Sequence, residues 1–228
     1  METRRHVDVV NSWLEPAGKR ILDVGCGDGG LTRALARAGA QATGIDTNAA
    51  VLDTARRASP VADETYLEGT GEHLPFADRS ADAVIYLNAL HHLPEAGMRP
   101  AIAEAARVLV PNGVLFVIEP LPEGAYFSLT QRLEDETAVR AAAYAAIKTA
   151  PSTLWSHLRE ETYLAPLKFR DFDAFIQRML AVNPARRSAV TTYREKLQSD
   201  FMALGDRQAD GVSFGQPCRA NLLRRNTP

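Results

Sequence analysis

The 228-residue sequence predicts an α/β fold: a doubly wound, mostly parallel sheet with a helical insertion after strand five and a C-terminal strand. Three observations carry that expectation. Short apolar runs, ILDV (21–24), AVIYL (83–87) and VLFVI (114–118), alternate with stretches of helical spacing between residues 20 and 119. A glycine-rich loop at 25–30 follows the first run and opens a helix, and parallel strands need such helical crossovers. After Pro120 the alternation stops.

The elements follow in order. Residues 2–15 carry Val7, Val10, Trp13 and Leu14 near helical spacing, and Pro16-Ala17-Gly18 ends that N-terminal helical segment (1–18). RILDVG (20–25) reads as a buried strand, and LTRALARA as a helix closed by Gly39 just past its end. AQATGID (40–46) is the second strand, after which Thr47 or Asn48 caps a helix to about Arg57. ETYLEG (64–69) is the third strand and leads into a tight segment, TGEHLPF; ADAVIYL (81–87) is the fourth. Pro100 suits the first turn of a helix with Ile102, Ala105, Ala106 and Leu109 on one face. Pro111-Asn112-Gly113 turns the chain into strand five, VLFVIE (114–119). Residues 126–160, 171–182 and 187–204 read as helical, with Pro151, Pro166 and Pro184 as punctuation. GVSFGQPCRANLLRR (211–225) is the last strand, and TYLAPLKF (162–169) is one candidate partner. The change at 120 reads as an insertion within a single domain, 1–228, rather than as a second domain.

Composition narrows the function. Lys and Arg number 26 against 28 Asp and Glu, a net charge of −2, which leaves no electrostatic footprint for nucleic acid. No apolar run reaches the roughly 18 residues of a membrane span. METRRHVDVVNSWL lacks the apolar core of a signal peptide, so a soluble, cytoplasmic protein is expected. Cys26 and Cys218 lie far apart and suit a reducing compartment. No His, Cys and acid cluster has metal-ligand spacing, so no metal is expected.

Residues 25–30 satisfy G-x-G-x-x-G, and Asp46 lies where a dinucleotide fold places its ribose acid. Those glycines alone suit any nucleotide. Asp23, two residues before the turn, does not suit a diphosphate, because its charge repels one. S-adenosylmethionine has no phosphate and carries an ammonium and a sulfonium, which a carboxylate attracts. A second reading leaves Asp23 as a residue that merely hydrogen-bonds the turn.

D-V-G-C-G-D-G (23–29) resembles motif I of the class I S-adenosylmethionine-dependent methyltransferases. Three further stretches agree: GID ending at Asp46, Glu68-Gly-Thr-Gly-Glu-His-Leu-Pro-Phe76, and Ala105-Ala-Arg-Val-Leu-Val-Pro-Asn-Gly113. The resemblance covers residues 20–120 and is strongest to the small-molecule branch that includes the quinone-biosynthetic C-methyltransferases. It implies a Rossmann-like methyltransferase fold that binds S-adenosyl-L-methionine and releases S-adenosyl-L-homocysteine. It also implies that Asp23, Gly25, Cys26 and Gly27 shape the methionyl side and that Asp46, followed by Thr47, holds the ribose. Thr70, Gly71 and Glu72 then frame the adenine, with Leu87 or Asn88 beside the ammonium. Two positions depart from the pattern: Thr70 stands where many relatives have Asp, and Asn112 where a glycine is usual.

Methyl transfer is an in-line displacement in which the protein chiefly aligns the partners, an effect of about 7–11 kcal/mol. A base is needed only for an acceptor that holds its proton, and His91 and His92, after strand four, are the candidates. The competing reading gives them a positioning role. Glu119 faces the same crevice and either orients substrate or caps the next loop. His157 and Trp155 are candidates for a substrate lid, whereas His73 reads as a turn residue. Residues 121–185 and the N-terminal helix are the expected substrate cover. There Tyr126, Phe127, Leu129, Leu133, Tyr144, Trp155 and Tyr163 offer surface for an aromatic or lipophilic small molecule, although core packing is the commoner use of such residues. Two alternatives stand beside this reading: an NAD-dependent oxidoreductase, and a non-catalytic cofactor-binding partner protein.

Overall fold

A computed structural model describes residues 1–227, which group into two compact units. The larger holds His6–Glu119, Val139–Glu161 and the residues from Arg219 onward; the smaller holds Met1–Arg5, Pro120–Ala138 and Thr162–Cys218.

In the larger unit the chain runs α1 (His6–Leu14), β1 (Arg20–Val24), α2 (Gly30–Arg37), β2 (Gln41–Asp46), α3 (Ala49–Arg57), β3 (Thr65–Glu68) and β4 (Ala81–Leu87). A short 3₁₀ turn (Leu90–His92), α4 (Glu95–Val108) and β5 (Leu109–Pro120) follow. β1 pairs in parallel with β2 and β4, β2 with β3, and β4 with β5. The sheet order is β3-β2-β1-β4-β5-β8-β6, where β6 is Trp155–Phe169 and β8 is Gly211–Arg225, each with residues in both units. Strand order reverses between β1 and β4, so the crevice of an open α/β sheet lies beyond their carboxyl ends. α2 buries Thr32, Leu35 and Ala36 as one stripe, and the Asn48 side chain caps α3 by accepting from the Ala50 N–H at 3.0 Å. Leu22, Val84, Leu115 and Val117 of the strands pack with Met98, Ile102 and Ala105 of α4. Each such large side chain contributes about 1.5–3 kcal/mol when buried.

The smaller unit contains α5 (Gly124–Thr130), α7 (Phe172–Val182), α8 (Arg187–Leu204) and β7 (Asp206–Gln208). Its core is aromatic: Phe169, Phe172, Phe175, Phe201 and Phe214 stack or meet edge to face, with centroids as close as 5.4 Å for Phe169 and Phe175. Asp171 caps α7 through the Ala174 N–H at 2.7 Å. β7 and β8 form a tight antiparallel hairpin in which Gln208 faces Gly211.

The sequence reading needs four corrections. Residues 126–160 are not one helical stretch: α5 and α6 (Thr137–Lys148) are helices, but the chain enters β6 at Trp155. Residues 157–160 are exposed, so no burial alternation marked that end of the strand. Pro100 lies in the second turn of α4 rather than its first, because the helix begins at Glu95 after Pro94. The N-terminal helix starts at His6, and before it Thr3 bridges to Leu164 while the Arg4 N–H donates to the Leu164 carbonyl. Residues 111–113 lie within β5, where the register against β4 shifts between Ala81 and Ala83, and Asn112 takes φ 65°. The candidate partner of the last strand is its neighbour: residues 162–169 belong to β6, which adjoins β8. Among the described residues, no helix is long and apolar enough to cross a membrane.

Candidate cofactor site

The site is built where β1, β2, β4 and β5 end. After Val24 the chain turns through Gly25, Gly27 and Gly29, all left-handed at φ 76°, 54° and 78°. Five of the loop's amides are used inside the protein. Gly25 and Cys26 donate to the Ile45 carbonyl at 2.7 and 3.0 Å, Gly27 to Asp46 Oδ2 at 2.9 Å, and Gly29 to the Cys26 carbonyl at 3.0 Å. Gly30 donates to Asp28 Oδ1 at 3.2 Å. Gly25 is a glycine for space: a Cβ there would lie 2.5 Å from Ala89 Cβ. Gly27 is a glycine for access, since a Cβ there would meet nothing within 4 Å.

Asp23 is 1% exposed, and its Oδ2 accepts from Thr32 Oγ1 at 2.7 Å. It ties β1 to the first turn of α2 from beneath the loop. Burial pushes its carboxyl up to about 6, against the opposing hydrogen bonds to Thr32, and Asp46 adds to the rise. Cys26 is buried inside the loop near the same carboxylates. Its thiol is pushed up first by burial and then by Asp23, Asp46 and Asp28.

Asp46 links the loop to α3: Oδ2 takes the Gly27 N–H, and Oδ1 takes the Asn48 N–H at 2.9 Å. A carboxylate has about four lone-pair sites, so both oxygens retain acceptor capacity. Thr47, beside it, is exposed. Beyond β3, Thr70 is exposed and bridges to His73. Gly71 is buried where a Cβ would come within 2.9 Å of the Tyr86 hydroxyl. The Glu72 carboxyl lies against Gly97 in the first turn of α4, so it is turned toward that helix. Arg107 sets the course of this segment, donating to the carbonyls of Leu74 (3.1 Å) and Phe76 (2.9 Å), while Glu104 accepts from the Leu74 N–H at 2.8 Å. The sequence reading named Arg107 only within the resembling stretch 105–113; a long cation on the helix facing an extended segment was the available signal.

Past β4, Asn88 takes φ 51°, an uncommon conformation for a residue other than glycine. Its N–H donates to the Ile118 carbonyl at 2.8 Å, while its Oδ1 is buried without a hydrogen-bond partner. Leu87, half-buried, pairs with Ile118. That register brings Glu119 to the 3₁₀ turn. Glu119 is 6% exposed; Oε1 accepts from the Leu90 N–H at 2.8 Å and Oε2 meets His91 Nδ1. His91 is 4% exposed, whereas His92 is exposed, and the two rings lie 4.0 Å apart, tilted by 41°. His73 and His157 are exposed and lie apart from this cluster in the chain. Of the proposed cover residues, Phe127, Leu129, Leu133, Trp155 and Tyr163 are buried core, and the Tyr144 hydroxyl donates to Glu160 at 3.1 Å.

Residues 22–117 match a family model described as a methyltransferase domain. Those residues, fewer than half of the chain, resemble that family. A demethylmenaquinone methyltransferase from Tropheryma whipplei (strain Twist) is 39% identical to the chain over 103 residues, which cover 45% of this chain and 42% of that protein. A fatty-acid O-methyltransferase from Mycolicibacterium smegmatis is 36% identical over 107 residues, 46% of this chain and 38% of the relative. The chain thus spans less than half the length of these curated relatives. A Bacillus halodurans C-125 protein solved as a candidate methyltransferase superposes with a TM-score of 0.66 at 18% identity, covering 97% of this chain and 99% of its own. The Rossmann-like, mostly parallel sheet therefore stands as the sequence implied.

Proposed function

We propose that the chain is an S-adenosylmethionine-dependent methyltransferase acting on a small, aromatic or lipophilic molecule. The observation that carries the reading is the set of carboxylates around the glycine loop, Asp23 buried at its base and Asp46 and Asp28 bonded to its amides, with the N–H groups of Gly25, Cys26, Gly27, Gly29 and Gly30 already partnered. A diphosphate needs free amides and positive potential. A cationic amino-acid tail needs the reverse. The open face at Gly27 gives backbone-close access, Asp46 retains acceptor capacity for ribose hydroxyls, and the unpartnered Asn88 Oδ1 waits for a donor. The residues fit the cofactor.

Asp23 and the glycine loop would hold its methionyl end, Asp46 its ribose, and the segment from Thr70 to Glu72 its adenine side. When bound, the cofactor supplies an electrophilic methyl group on sulfonium. The protein's part is orientation, with His91 and His92 at the mouth of β4 as the groups able to take a proton.

Calorimetry with S-adenosylhomocysteine and NADH tests the assignment. The first should bind and the second should not; tight NADH binding would overturn it. Asp46→Ala should weaken S-adenosylhomocysteine binding by about 1–3 kcal/mol, since it strands two desolvated hydroxyls. Wild-type affinity in that variant would remove Asp46 from the site. Label from methyl-labelled cofactor, followed into a metabolite extract, identifies the acceptor.

A further inference from the structure

The two histidines after β4 are not equivalent, and the structure separates their roles. An ionised carboxylate can only accept, and Glu119 already accepts the Leu90 N–H on one oxygen. The His91 nitrogen facing its other oxygen therefore carries the proton, which fixes the His91 ring in one orientation. Both members of the pair are buried, and both ends are anchored: Glu119 by its place in β5, His91 by the 3₁₀ turn whose amide Glu119 holds. The exposed ring is His92, lying 4.0 Å from the fixed one.

Resting on the methyltransferase reading above, we propose that His92 is the group that takes the acceptor's proton and that Glu119 and His91 are positioning residues that set its ring. The acceptor is then of one chemical class, an oxygen or nitrogen nucleophile that carries its proton at neutral pH. As the heteroatom gains the methyl carbon, its proton passes to the His92 imidazole, and the electron pair of the broken carbon–sulfur bond stays on sulfur. The fixed His91 ring, 4.0 Å away at a 41° tilt, narrows the positions open to the exposed ring that meets the substrate.

The test has a spectroscopic arm that needs no acceptor. In protein with ¹⁵N-labelled histidine, the His91 ring should show its proton on Nδ1. Glu119→Gln should remove that signature and move the ring resonances of His92, while S-adenosylhomocysteine affinity stays within about twofold. Unmoved His92 resonances in both Glu119→Gln and His91→Asn would overturn the proposal. With the acceptor returned by the labelled-methyl screen, His92→Gln should lower kcat about 10²-fold or more, with KM little changed. Glu119→Gln should lower kcat less, and Glu119→Asp should recover part of the loss. Undiminished kcat in His92→Gln would equally overturn it. Failure of the wild-type protein to bind S-adenosylhomocysteine would instead sink the transferase reading, and the histidine resonances would still decide the positioning claim.

Discussion

Gly25→Ala is expected to lower stability by about 2–5 kcal/mol and to abolish cofactor binding. Two effects add. At φ 76° an alanine pays the left-handed penalty of roughly 1–2 kcal/mol. Its methyl would also sit 2.5 Å from Ala89 Cβ, and neither group has a torsion with which to swing away. Backbone must move, and overpacking of this kind costs about 1–3 kcal/mol. The displaced segment is functional on both sides. Ala89 is buried beside Asn88 and the histidine turn, and the Gly25 N–H ties the loop to β2. In a chain of this size a loss of that magnitude lowers the melting temperature by roughly 10 °C. Gly27→Ala is the control. It has the left-handed penalty but open space, so most stability should survive while the new methyl obstructs the ligand face. Thermal melts read the first effect and S-adenosylhomocysteine calorimetry the second. Equal stability losses in the two variants would show that the Ala89 contact does not constrain the loop.

How far the sequence reaches can be judged from these same elements. Parallel strands buried on both faces are nearly continuous apolar runs, so β4 was read to the residue, and so were α8 and β8. The glycine loop and Asp46 were readable because their requirement is local: a bare backbone, and an acid at a strand end. Partners fixed by sheet register were not. Asp23 meets Thr32 across a turn, and Glu119 meets His91 only because Leu87 pairs with Ile118. Nothing in the spacing of positions 91 and 119 announces that encounter. The Arg107 clamp escaped for the same reason, since its acceptors are main-chain carbonyls that no residue type marks. The beginning of β6 was misread because exposed His157, Leu158, Arg159 and Glu160 suit a helix as well as a strand, and the pairing that decides is distant in the chain.

Asp23→Asn separates a carboxylate kept for stability from one kept for a ligand. Burial raises the Asp23 carboxyl from 3.8 to about 6, so the folded protein binds this proton more tightly than the unfolded chain does. Stability therefore falls as pH rises from about 4 to about 6, and the full penalty, roughly 3 kcal/mol by linkage, is present above that range. Asparagine keeps an oxygen for the Thr32 hydroxyl and carries no charge to desolvate. At pH 7.5 the variant should match or exceed wild-type stability in urea denaturation, by up to that amount, and the difference should shrink toward pH 4. S-adenosylhomocysteine binding should fall in the same variant, because the negative field in the loop loses its buried member. A gain in stability joined to a loss of affinity would mean that the charge is held in the core against its own desolvation, for a cation that arrives later. The opposite pair, lower stability with unchanged affinity, would make Asp23 a strut for α2 with no part in holding the ligand.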